Sequence, residues 1–182
     1  MNLLTTALIG LFLLSNTASA SSTPAVVTGP TYTVAMTGYN AVAAQTDSDP
    51  GMTASGAPSD PSVVMARSRD LADELPYGTV VAIEPNDATS TSCGASVVGN
   101  QIGYRVVADS MNARKHNQID IMLDSSDGVD VGGKNTNPAV ALGVCSGVKV
   151  TVVGKIDISH MPRNQAELKK VVDQQLLAVA TK

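Results

Sequence analysis

Aromatic residues are nearly absent from this chain. It has no Trp, one Phe and only four Tyr (Tyr32, Tyr39, Tyr77 and Tyr104). Carbohydrate surfaces commonly use aromatic rings as stacking platforms, so any such surface here must rely on these tyrosines. Charge is also sparse. Asp, Glu, Lys and Arg make up 15% of the residues, the net charge is -4, and no block of like charge occurs. That balance gives nucleic acid or an anionic membrane surface nothing to hold. There are two histidines, His116 and His160. His116 lies between Asp109 and Asp120 and could join them on a metal. Zinc sites usually need three or four well-spaced ligands, so it reads as a surface-turn residue and no metal or cofactor is expected. No apolar run is long enough for a membrane-spanning helix. There is no phosphate loop, no Gly-x-Ser-x-Gly elbow and no Cys–His dyad pattern.

What is present begins with an apolar stretch over residues 3–14, followed by Ala18-Ser19-Ala20, a small-x-small cleavage pattern. Together they read as a secretory signal peptide over residues 1–20, although no Lys or Arg precedes the apolar run. No Cys follows to accept a lipid, so the mature protein is expected to be soluble and secreted or periplasmic. In an oxidising compartment an even pair of cysteines reads as one disulfide. A Cys93–Cys145 bond would contribute about 4 kcal/mol in the chain-entropy model. The alternative is two buried free thiols.

Residues 21–30 are rich in Ser, Thr and Pro and read as a mobile tail. From Thr31 onward, short runs of Val, Ile, Thr and Ala alternate with Gly, Pro, Asn and Asp. This is strand-and-turn patterning. It predicts strands over 31–39, 62–66, 79–84, 103–108, 118–123 and 148–153, enough for a small barrel or sandwich. A short helix is expected over 68–75, opening on Ser68 and stopping before Pro76. A turn of helix is expected within 124–132. A longer amphipathic helix over 163–180 would lay Leu168, Val171, Val172, Leu176 and Val179 on one face against the outside of the barrel.

Two aspartates stand out. Asp109 ends the apolar run Val106-Val107-Ala108, and Asp120 lies between Ile119 and Ile121. A carboxylate in such a run costs free energy unless something pairs with it or uses it. Glycosidic bond cleavage can be carried by two carboxyls in different surroundings, one donating a proton and one stabilising developing positive charge. Apolar neighbours would raise the pKa of Asp120, whereas Ser110, Asn112 and Arg114 give Asp109 a polar setting. The competing reading has Asp109 capping a turn and Asp120 paired with Arg114 or Lys115.

An ordered series of motifs resembles the three-aspartate (3D) domain family, found in bacterial cell-wall proteins and in membrane-bound murein lytic transglycosylases. The series runs Thr37-Gly38-Tyr39, then Thr53-Ala54-Ser55-Gly56, then Val64 to Leu71 with Asp70. It continues with Pro76-Tyr77-Gly78-Thr79 and its strand, Asp109-Ser110-Met111-Asn112-Ala113-Arg114, Asn117-Gln118-Ile119-Asp120-Ile121 and the strand around Val148 to Val153. The resemblance covers residues 31–154. It implies a six-stranded double-psi β-barrel, followed by a helical extension over 155–182. It also implies a groove that binds a peptidoglycan glycan strand, with Asp120 as general acid/base, Asp109 in support and Asp70 as the remaining aspartate of the set. Thr53, Ser55, Tyr39, Asn112 and Arg114 would then contact substrate. Many catalytic members carry a Gly-Gly-x-Ile-x-Gly turn after the second Asp, where this chain has Ser110-Met111-Asn112-Ala113-Arg114-Lys115-His116-Asn117. Residues 84–101 are longer than the corresponding loop, and residues 133–138 look like an inserted loop.

These readings lead to an expected lytic transglycosylase of the cell envelope. The alternatives are a barrel that binds polysaccharide or loosens the wall without cutting it, and a structural envelope protein. His116 reads as a surface-turn residue, His160 as a helix lead-in. The stretch Asp124-Ser125-Ser126-Asp127-Gly128 lacks the ligand spacing and closing Glu of a calcium loop.

Overall fold

The computed structural model describes residues 29–46, 49–85 and 93–180. The expected signal peptide and all but the end of the expected tail lie outside them. Pro30, at the end of that tail, is already held, its carbonyl accepting from Val152 N–H at 3.0 Å.

Six strands close into a barrel: β1 (Thr31–Tyr39), β2 (Val64–Arg67), β3 (Thr79–Glu84), β4 (Tyr104–Ser110), β5 (Gln118–Met122) and β8 (Cys145–Lys155). Around the barrel the order is β1-β5-β2-β4-β3-β8. The β1–β5 and β2–β4 pairs are parallel and the rest antiparallel. This connectivity, in which every pair of successive barrel strands except β3 and β4 is separated by another strand, is consistent with a double-psi barrel. Closure leaves no free sheet edge, which a short-stranded domain needs.

Strand alternation sorts the apolar residues into two clusters. Val34, Met36, Met65, Val81, Val107, Ile119, Ile121, Val148 and Val150 fill one, and the alternate residues Ala66, Val80, Val106, Ala108, Met122 and Val153 pack with Tyr39, Leu168 and Val172 in the other. The first is the barrel interior. The second lies between its outer wall and the covering segments.

Two arginines share the inward parity and close opposite ends of the barrel. Arg105, fully buried, donates to the carbonyls of Ile102 (2.8 Å), Pro61 (2.6 Å), Val64 (3.2 Å), Met122 (3.1 Å) and Gln101. Burial pushes its guanidinium down to about 10, which leaves it charged at neutral pH. Arg67 donates to the Leu75 and Ser68 carbonyls and stacks 5.0 Å from the Tyr77 ring centroid. A charge taken from water is tolerated only with such a full set of partners.

Cys93 and Cys145 are joined, with Cα atoms 5.3 Å apart, as expected from their pairing in the sequence. The bond ties the segment before α1 (Gly99–Ile102) to the start of β8. Nearby, α2 (Pro138–Leu142) is capped by Asn137, whose side chain accepts from Ala139 N–H. It lies so close to β1 that a Cβ on Gly38 would sit 2.8 Å from Leu123 and 3.1 Å from the Ala139 backbone.

Several elements depart from expectation. The helix expected over 68–75 is only a single 3-10 turn, Arg69–Leu71. The Ser68 hydroxyl makes no cap bond because it accepts from Gln118 N–H on the neighbouring strand at 3.1 Å. No helical turn forms within 124–132. Asp124 instead folds onto Ser126 N–H at 2.8 Å, and a hairpin follows, β6 (Val129–Val131) with β7 (Lys134–Thr136). The stretch read as an inserted loop therefore contributes a strand. The C-terminal helix α3 (Gln165–Ala180) packs against β8 and β4 through Leu168 and Val172, but Val179 is 60% exposed because the last turn has no wall to bury against. Among the described residues no helix is long and apolar enough to cross a membrane.

Candidate active site

Asp120 and Asp109 stand on either side of one residue. On β2, Ala66 is the register partner of Asp120 across the antiparallel β5 and of Asp109 across the parallel β4. On the far side of β5, Asp120 is paired with Thr37 of β1. Thr37, Asp120, Ala66 and Asp109 thus form one row across four strands, on the barrel's outer wall. Two strand spacings separate the aspartates, about 10 Å between their Cα atoms. The residue between them is the small Ala66, so the space above it stays open.

A β-bulge makes this alignment. The β2–β4 register runs Met65 to Val107, then shifts so that Ala66 meets Asp109 rather than Ala108. The extra residue re-aims the carboxyl. Without the shift, Ala66 would face Ala108 and Asp109 would fall outside the row.

Three donors hold Asp109. Tyr39 Oη donates to Oδ2 at 2.8 Å, and the N–H groups of Ala54 and Ser110 donate to Oδ1 at 3.0 and 2.8 Å. Tyr39 itself is pushed far above the ordinary tyrosine value, first by burial and then by the adjacent Asp109 charge, so its hydroxyl keeps its proton. The Ala54 amide is aimed by the loop around it. Thr53 Oγ1 donates to the Ala57 carbonyl at 3.0 Å, Ser55 N–H donates to the Ala108 carbonyl at 3.1 Å, and Gly56 takes φ +83°, a conformation that suits glycine.

Asp120 is held differently. Thr37 Oγ1 donates to its Oδ1 at 2.9 Å, and Gln118 Nε2 in turn donates to Thr37 Oγ1. Burial pushes the Asp120 carboxyl up to about 6. The Thr37 hydrogen bond and the Lys115 charge pull it down, and Asp109 adds a small upward push. The two carboxyls therefore sit in different surroundings, Asp120 buried beside one hydroxyl donor and Asp109 held by three donors. Neither Arg114 nor Lys115 forms an ion pair with Asp120 within 4.0 Å.

Both aspartates line a cavity of about 620 Å³, together with Tyr39, Ala54, Asn112, Arg69 and Lys115. Of the residues expected there, Tyr39 and Asn112 are present. Thr53 and Ser55 are not lining residues; they shape the loop that carries Ala54. Arg114 is exposed on the turn, its N–H bonded to Asn112 Oδ1. Asp70 is apart from the cavity and exposed. Its Oδ2 accepts from Asn117 N–H at 2.8 Å, and its Oδ1 lies 4.0 Å from His116 Nδ1. There it supports the turn at Asn117, a non-glycine residue with positive φ, 46°. Hydrogen bonding from Ser68 and Asn117 holds its carboxyl below the usual range.

Arg69 and the Ala54 amide were not proposed as site residues by the sequence reading, Thr37 entered it only as part of a strand motif, and Lys115 only as a possible partner of Asp120. Thr37 shares a strand face with Tyr39, a signal visible in the spacing. The others depend on which strands are neighbours. No known family model matches the chain, and no curated protein is significantly similar to it.

Proposed function

We propose that this protein is an exported cell-wall enzyme that cleaves the glycan strand of peptidoglycan as a lytic transglycosylase, with Asp120 as general acid/base. The observation that carries this reading is the pair Asp109 and Asp120, flanking Ala66 in one cavity, with Asp120 pushed up to about 6. The ordered motifs of the 3D family supply the substrate class. Protonated Asp120 donates to the glycosidic oxygen as its bond to the anomeric carbon breaks, and the leaving saccharide departs with that proton. The fixed charge of Asp109 favours the positive charge developing at the anomeric carbon. Asp120, now a carboxylate, takes the proton of the same sugar's C6 hydroxyl, and O6 closes on the anomeric carbon to give a 1,6-anhydro end. One carboxyl acts in turn as acid and base, and no water need be activated. In this reading residues 1–20 are the export signal, 31–154 the catalytic barrel and 155–182 a helical extension.

The test is release of anhydro-muropeptides from purified sacculi. Wild-type protein should release them and Asp120→Asn should not, while its circular dichroism stays native. Full activity in that variant would overturn the assignment. The turn over residues 110–117 favours a second reading, a barrel that binds polysaccharide or loosens the wall without cutting it. Where many catalytic relatives have glycines, Met111 is buried and Asn112 lines the cavity. That protein would be retained on sacculi without product, and Asp120→Asn would change nothing.

A further inference from the structure

We propose that Arg69 and Lys115 form a carboxylate-reading edge of the cavity, so that the protein selects a glycan bearing acid groups over a neutral one. The inference rests on the glycan-cleaving reading above and names the chemistry by which its substrate is chosen.

Four charged side chains line the cavity: Asp109, Asp120, Arg69 and Lys115. The two carboxyls have partners, three donors on Asp109 and Thr37 on Asp120. The two cations have no ion-pair partner among the described residues, where the ion pairs are His116–Asp70, His160–Asp157 and Lys169–Asp173. Both are exposed and open to a ligand.

Topology puts them at the same end of the cavity. Strand β2 lies between β4 and β5, so the turn joining β4 to β5 must cross the exit of β2. It is fastened there. Met111 N–H donates to the Arg67 carbonyl at 2.9 Å, Asn117 N–H to Asp70 Oδ2 at 2.8 Å and Gln118 N–H to Ser68 Oγ at 3.1 Å. Arg69 opens the 3-10 turn just past β2, and Lys115 rides on the crossing turn, its own N–H bonded to the Asn112 carbonyl. The backbones beneath both cations are therefore anchored to each other.

A neutral polymer of N-acetylhexosamine offers hydroxyl and amide groups, which leave Arg69 uncompensated, and Lys115 with only its longer-range attraction to Asp120, when water is displaced. A carboxylate offers a guanidinium two parallel acceptors and an ammonium a full opposite charge. Most of the chain would repel an acidic polymer, since its net charge is -4. Two cations at the groove are what admit one. On a cell-wall glycan the acid is either borne on the sugar ring as an ether-linked lactyl group or carried by the attached peptide.

Three substrates separate these sources: a neutral chitooligosaccharide, a peptide-free wall glycan with its lactyl carboxylates, and the same glycan with its peptides. Binding is measured by calorimetry with Asp120→Asn, turnover with the wild type, Arg69→Gln and Lys115→Gln, and thermal melts check that the exposed substitutions leave the fold intact. The acidic glycans should bind at least about tenfold more tightly than the neutral one. Arg69→Gln should raise KM on acidic glycans by about tenfold with kcat nearly unchanged, and leave the neutral substrate unaffected. Lys115→Gln should raise KM similarly and move the descending limb of the pH profile upward. Preference for the peptide-free glycan assigns the ring-borne acid, and preference only with peptides assigns the peptide; either supports the inference. Equal binding of neutral and acidic glycans, or equal losses on both in the variants, overturns it. Cleavage without preference would leave the enzyme reading standing alone. A preference for acidic glycans without any cleavage would remove the enzyme reading and leave carboxylate recognition.

Discussion

Thr37 and Asp120 face each other across two parallel strands, and the threonine hydroxyl donates to the aspartate at 2.9 Å. That single bond opposes a larger effect, the burial that raises Asp120 to about 6 from an ordinary 3.8. The balance has a consequence for stability. A carboxyl whose folded value lies above its unfolded one stabilises the fold fully below the unfolded value, and that contribution is lost as pH rises through the folded value. Relative to a variant that cannot ionise, the wild type should therefore lose stability between about pH 4 and pH 6 and stay lower above that. Asn keeps an oxygen for Thr37 without the buried charge. We expect Asp120→Asn to be more stable at pH 7 by up to about 3 kcal/mol, and equal to the wild type near pH 3. Urea denaturation of both proteins across this range checks it. A constant difference at all pH values would show that the carboxyl is not perturbed.

The same value sets a pH dependence on activity. The first chemical step in the proposed mechanism needs Asp120 protonated, so kcat/KM should fall as pH rises through about 6. Anhydro-muropeptide release assayed from pH 4.5 to about 8 reads this limb. A rate still rising beyond neutrality would place the proton donor elsewhere.

Tyr39→Phe removes one of the three donors on Asp109 and keeps the ring that packs beneath the loop. The loss of a buried charge-assisted bond should cost about 1–2 kcal/mol in urea denaturation. If Asp109 supports the developing positive charge, kcat should fall several-fold with little change in KM. Unchanged kcat with reduced stability would make the tyrosine structural only.

Much of the barrel was legible because its strands are short apolar alternations bounded by Gly, Pro, Asn and Asp. β1 and β3 coincide with the expected spans. β8 is longer than expected, Cys145–Lys155, because Ser146-Gly147 does not look like strand; Gly147 has φ +72°. Asp109 and Asp120 could be nominated from their apolar neighbours. Their alignment could not, because it depends on a bulge inside a run, Val106-Val107-Ala108, that reads the same with or without one. Asp70 was nominated from a motif that only resembles a family's by order, and its side chain accepts from the Asn117 turn. Arg69 and Lys115 line one cavity because the β4–β5 turn crosses β2, and that crossing is a property of strand order. Arg105 was equally hidden. Its role appears only when five carbonyls from four segments converge on it.

Arg105 is the side chain whose loss should be least tolerated. Its acceptors belong to the segment before β2 (Pro61), β2 itself (Val64), α1 (Gln101 and Ile102) and the end of β5 (Met122). Arg105→Met fits the volume but leaves these carbonyls without their donor, which should cost about 3–5 kcal/mol. Arg105→Lys keeps the charge but has a single nitrogen, which cannot reach all five acceptors, so it should rescue little. Thermal melts of both variants check this. A lysine variant as stable as the wild type would mean that the buried charge, not the carbonyl network, closes the end of the barrel.

The Cys93–Cys145 bond restrains the chain between α1's approach and β8, a separation of 52 residues. In the chain-entropy model its removal costs about 4 kcal/mol, mostly through the unfolded state. The double variant Cys93→Ser, Cys145→Ser should therefore show a lower midpoint in urea. Both cysteines lie on the side of the barrel where α2 packs on β1, and neither lines the cavity holding the aspartates. At a temperature where the variant is folded, its rate of product release and the pH profile should match the wild type. A loss of activity without a loss of stability would show that the bridge shapes the groove.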